Sequence, residues 1–163
     1  MKTFFKIILI FFCIALLQFC NAQEKEYTRF YNSLNPKLQN IAETKSQFYN
    51  QEFSKFYNIL KDNNITINMF AYDSKMANSK DNYILRIYFT DHKTNSYAID
   101  NNYQFPRISI TFKNKIPFEI ERLTREYHGE WNNEMFQFFS NMIIEKIDFY
   151  GINGVSSADR KAR

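Results

Sequence analysis

The sequence predicts an α+β fold: an antiparallel sheet of about four to five strands, with a long N-terminal helix and C-terminal helices packed on one face. Three observations predict it. Apolar residues recur at helical spacing through residues 36–62. Period-two alternation then takes over in successive short stretches up to residue 113. Helical spacing returns only beyond Pro117, so strands and helices occupy separate runs, the arrangement that segregates helices to one side of an antiparallel sheet.

The first helix is expected from Pro36 to Asp62, with Asn35 as cap, Pro36 in the first turn and a stripe of Leu38, Ala42, Tyr49, Phe53, Phe56 and Leu60. From Ile65 the pattern becomes that of a half-buried strand, with Ile65, Ile67, Met69 and Ala71 on one face and Thr66, Asn68, Phe70 and Tyr72 on the other. A stronger strand follows, Tyr83 to Thr90, with Leu85, Ile87 and Phe89 inward and Arg86, Tyr88 and Thr90 outward. The polar run Asp91 to Asn95 reads as a turn, followed by a short strand at 97–100 and a clear one from Arg107 to Lys113. The pattern Ile116, Ile120, Leu123, Tyr127 predicts a helix stopping near Gly129, and the apolar stretch Asn132 to Lys146 a second, largely buried one. A strand over Ile147–Ile152 completes the sheet. In element order alone, a helix followed by a meander, the chain resembles cystatin-like and nuclear-transport-factor-like folds; no motif accompanies the resemblance, and it implies no function.

Residues 1–22 carry Lys2 and Lys6, then an apolar run from Ile7 to Leu17, then Cys20-Asn21-Ala22. That run is too short for a hydrocarbon core of about 30 Å and matches a secretion signal cleaved after Ala22. The alternative is a lipoprotein anchored through Cys20, against which stand the bulky Gln18 and Phe19 before it. Either way the expected destination is outside the cytoplasm, periplasmic or secreted, or lipid-anchored in the alternative. The domain expectation is therefore a signal at 1–22, one globular domain at 23–153 and a flexible tail at 154–163. Cleavage removes both cysteines, so disulfides and thiolate chemistry are not expected. It also lowers the net charge from +4 to +2, and interleaved Lys, Asp and Glu argue against nucleic-acid binding. Three glycines and three prolines in 163 residues leave no linker between domains.

No metal and no cofactor is expected. The histidines, His92 and His128, are far apart, and Asp73 to Asp81 places Lys75, Met76 and Lys80 where a calcium loop needs oxygen ligands. Gly151 and Gly154 precede no helix that would cradle a phosphate. Two candidate sites remain. Tyr127-His128-Gly129-Glu130-Trp131 offers His128 and Glu130 as an acid/base pair beside an indole platform; the plainer alternative is a helix-ending glycine, a core tryptophan and two solvated side chains. The open sheet face offers Phe70, Tyr72, Arg86 and Tyr88 as a binding patch, Tyr and Arg being the residues that bind at low entropic cost. The function expected is an exported binding protein for an unknown protein, peptide or small ligand. The alternatives are a small metal-independent hydrolase or isomerase using His128 and Glu130, and a homodimer packed through the open faces.

Overall fold

The computed structural model describes residues 2–77 and 79–163, with side chains from Gln23 onward. The side chains of the expected export segment, Cys20 among them, lie outside the described residues. Helix α1 spans Lys2–Glu43. From Gln23 on, it buries Tyr27, Tyr31, Leu34, Leu38 and Ile41, whose alternating spacing of four and three holds one stripe toward the core. That stripe extends the helix well upstream of the expected start at Pro36. Pro36 consequently sits inside α1, and the side-chain oxygen of Asn35, expected to cap, is buried without a partner.

The helix also stops before Asp62. A 3-10 turn at Lys45–Phe48 and a left-handed Asn50 (φ 65°) redirect the chain, and α2 covers Phe53–Asp62. The cause is backbone pairing with a distant strand. Asn50 N–H donates to Ile144 O at 2.8 Å, Ile144 N–H to Gln51 O at 2.9 Å and Phe53 N–H to Met142 O at 2.9 Å. Peptide groups committed sideways cannot also close helical rings.

Strands β1 (Met69–Ser74), β2 (Asn82–Tyr88), β3 (Arg107–Phe112) and β4 (Ile144–Tyr150) form one antiparallel sheet in that order. One face presents Phe70, Leu85, Ile87, Ile108, Ile110 and Phe149 to a core shared with α1, α2, α4 (Glu119–Tyr127) and α5 (Asn133–Phe139). The α+β architecture with helices on one side of the sheet is thus the observed one.

Two segments differ from expectation. The turn and strand expected over 91–100 are instead helix α3, His92–Asp100. Asp91 caps it, its carboxylate accepting from Thr94 N–H at 2.8 Å, and Ala98 is buried beside Tyr27 and Tyr31. The helix expected to reach Lys146 ends at Phe139, and β4 begins at Ile144 rather than Ile147. Met142, Ile143 and Ile144 suit either structure by hydrophobicity, and pairing with residues 50–53 decides for extension.

Both sheet edges are covered by the chain itself. Along β1, Phe70 N–H donates to Gly129 O (2.8 Å) and Trp131 N–H to Asn68 O (2.9 Å); along β4, Phe149 and Arg163 exchange two bonds of 2.9 Å. Residues 154–163, expected as a flexible tail, make polar contacts with the rest of the chain. Gln104 donates through its side chain to Ser157 O and Asp159 O, and Arg160 to Asn102 O and Tyr103 O. Val155 adds to a second cluster formed by Tyr27, Tyr31, Ala98, Tyr97, Tyr103 and Phe105.

Candidate functional site

Strand register defines the face turned away from the core. Met69, Tyr88, Arg107 and Tyr150 form one cross-strand row, and Ala71, Arg86, Ser109 and Asp148 the next. A third row holds Asp73, Ile84, Thr111 and Lys146. Arg86, Tyr88, Arg107 and Tyr150 are half-buried, as side chains standing on a solvated sheet should be.

Of the expected patch, Arg86 and Tyr88 are here and Phe70 and Tyr72 are not. Phe70 is 4% exposed and belongs to the core, and Tyr72, on the same face, packs against that core. The phase was misjudged because Ile65 and Ile67 are buried before the strand begins, and the alternation they set does not carry into β1. Thr66, Asn68, Thr90 and Lys113 lie outside the strands. Arg107, Asp148 and Tyr150 were missed, although strand alternation places them here: Arg107 stands two before Ser109, and Asp148 and Tyr150 flank the core-facing Phe149.

The polar groups on this face are organised in pairs. Arg86 forms an ion pair with Asp73. Asp148 takes Lys146 Nζ at 2.9 Å and Lys45 Nζ at 4.0 Å, and its hydrogen bond holds the Lys146 ammonium above the ordinary lysine range. Burial lowers Lys45, against the pull of Asp148. The Arg107 guanidinium lies 4.8 Å from the Tyr150 ring centre and 5.8 Å from that of Phe105. Its Nε is buried without a hydrogen-bond partner.

The 127–131 cluster spans the turn between α4 and α5. His128 adopts the left-handed conformation (φ 52°) that ends α4, followed by Gly129 (φ 77°). His128 and Glu130 are both exposed, and among the described residues no hydrogen bond joins them. Trp131, half-buried, packs against the core, stacked on Phe139 at 6.2 Å and meeting Phe53 and Phe70 edge-on at 6.0 and 6.2 Å. Next to them, the Tyr127 hydroxyl donates to Glu134, a bond that together with burial pushes the phenol up to about 12.

Two clefts lie elsewhere. One of about 440 Å³ opens between Gln23, Tyr27 and Phe30 of α1 and Asp91, Lys93 and Thr94 of α3. Another, of about 460 Å³, runs past Tyr57, Lys61, Ile67 and Trp131. Neither is lined by His128, Glu130 or the open-face residues. Among the described residues no group of three or more His, Cys, Asp or Glu converges as metal ligands would, and no helix is long and apolar enough to cross a membrane. No family model, no curated protein and no solved structure matches the chain.

Proposed function

We propose that this chain is an exported binding protein of the cell envelope or exterior, holding a protein or peptide on the open face of its sheet without covalent chemistry. The observation that carries this reading is the row Tyr88, Arg107, Tyr150 beside Arg86. Two tyrosines and two arginines stand together, half-exposed, on a regular scaffold. Such residues dominate binding energy at protein interfaces because Tyr offers apolar area with a hydroxyl and Arg a planar set of donors. A rigid sheet also holds them in place before the partner arrives, which lowers the entropic cost of association. The acid/base alternative has less support, since His128 and Glu130 are solvated, unbonded to one another and line neither cleft described above.

Export is supported by the charged, apolar and small-residue order of residues 1–22. Mass spectrometry of the protein recovered from its native cells tests it: a chain beginning at Gln23 is the expected product, a lipid on Cys20 would establish anchoring, and an intact Met1 would end the export reading. The binding reading is tested by affinity capture from the native envelope and culture fluid with tagged wild-type protein and an Arg86→Ala/Tyr88→Ala variant. A partner retained by the wild type and lost by the folded variant is expected; a partner retained equally by both would remove the sheet face from the function.

A further inference from the structure

We infer that the partner presents an acidic protein segment to the open face, and that Arg107 grips its carboxylate. The inference rests on the sheet-face reading and specifies its chemistry.

Arg107 is held but unpaired. Tyr150, its neighbour in the β3–β4 register, and Phe105, two residues before it on the same side of the chain, both approach the guanidinium. Contact with two rings restricts the side chain before any ligand binds, so little rotamer freedom remains to be lost. Yet among the described residues its nitrogens meet no acceptor, and Nε is buried with none. The other arginines of the sheet face and of α4 have acceptors: Arg86 has Asp73, Arg122 has Glu119 and Glu126, Arg125 has Glu121. The buried Nε is out of a ligand's reach, so the terminal nitrogens of this half-exposed side chain are the donors a ligand can meet.

The one carboxylate within diagonal reach across the strands is Asp148, and it is engaged by Lys146 and Lys45. Four cations, Arg86, Arg107, Lys146 and Lys45, therefore face three carboxylates, Asp73, Asp148 and, at the far end of the row through its bridge to Met69, Glu130. The surplus is positive and centres on the free arginine, which calls for an anion. A planar donor fork fits a carboxylate through two parallel bonds, with the hydroxyls of Tyr88 and Tyr150 standing in the same row to donate to its remaining lone pairs. Because these residues stand on an open sheet face and line neither cleft described above, the anion arrives on a macromolecule rather than as an enclosed small molecule.

The test is titration of isotopically labelled protein with hexaglutamate at low salt, followed by amide chemical shifts, with hexalysine and inorganic phosphate as parallel probes. Hexaglutamate is expected to move amides around residues 86–88, 107–109 and 148–150, and hexalysine is not. Arg107→Gln is expected to weaken the interaction at least about tenfold, and Arg107→Lys, which keeps the charge and loses the fork, by an intermediate factor. Both variants' spectra report directly on whether the fold is intact. Shifts confined to other surfaces, or affinity unchanged in folded Arg107→Gln, overturn the inference. So does phosphate acting on the same amides at lower concentration than hexaglutamate, which would make the site one for phosphate. Capture that still depends on Arg86 and Tyr88 while hexaglutamate has no effect leaves the sheet-face reading standing and defeats the acidic partner alone.

Discussion

Gly151 passes so close to Phe105 that a β-carbon on it would stand 2.3 Å from the Phe105 carbonyl oxygen. Its φ of 70° adds a backbone conformation that L side chains resist. Gly151→Ala is therefore expected to destabilise the protein by about 3 kcal/mol or more. Gly154→Ala meets its nearest atom only at 3.7 Å and bears backbone strain alone, so it is expected to cost less. Urea unfolding of the two variants checks the order.

The face assignment of β1 and β2 yields a contrast. Phe70→Ala removes a core ring and is expected to cost about 3–5 kcal/mol, whereas Tyr88→Ala on the open face is expected to cost about 1 kcal/mol or less. Similar losses in the two variants, measured by thermal unfolding, would contradict the register.

Tyr31 joins α1 to the end of the chain: its hydroxyl donates to Gly151 O and accepts from Gly154 N–H, each at 2.9 Å. Tyr31→Phe leaves both backbone groups without this partner and is expected to cost about 1–3 kcal/mol. Hydrogen exchange at the Gly154 amide should accelerate with it.

Burial raises the phenol of Tyr27, with a further push from Tyr31, and burial likewise raises Tyr31, against a hydrogen bond from Gly154 and the Arg163 charge. A phenol whose folded pKa lies above its unfolded value contributes stability that is whole below the unfolded value and is lost as pH rises through the folded one. Stability is thus expected to be flat in this respect up to about pH 10 and to decline above it. Tyr27→Phe, which cannot ionise, should decline less steeply in an alkaline unfolding series.

Asp91 titrates in the opposite sense. Hydrogen bonds from Thr94 hold its carboxyl below the ordinary range, so the cap is whole above the unfolded aspartate value and is lost as pH falls through the folded one. Asp91→Ala is expected to cost about 1 kcal/mol at neutral pH and to differ progressively less from wild type in strong acid. Circular dichroism during urea unfolding at several pH values measures both.

Strands β2 and β3 were legible because Leu85, Ile87, Ile108, Ile110 and Phe112 bury one face while polar residues alternate with them. The end of α4 near Gly129 was legible too, although the left-handed residue that ends the helix is His128, with Gly129 following it at positive φ. Helix α3 was not: Asp91 and Thr94 carry the chemistry of both a turn and an N-cap, and burial of Ala98 against α1, a contact distant in sequence, selects the helix. The part of α1 between Gln23 and Pro36 was readable from the spacing of Tyr27, Tyr31, Leu34, Leu38 and Ile41 had Pro36 not suggested a start. Half of the open-face patch followed from β2 alone. Its centre, Arg107, depends on which residues stand beside it across two strand pairs, and only the register supplies that.

The bonds from Tyr27 and Tyr31 to residues 104, 151 and 154 also impose an order in time. A ribosome delivers the chain from its N-terminal end, and the surface that buries those two tyrosines is not complete until some of the last residues have been made. Until then the leading stretch from Gln23 to Leu34 lacks part of the surface it docks against. Any translocation machinery that must thread an unfolded polypeptide by that end meets it before the fold can close.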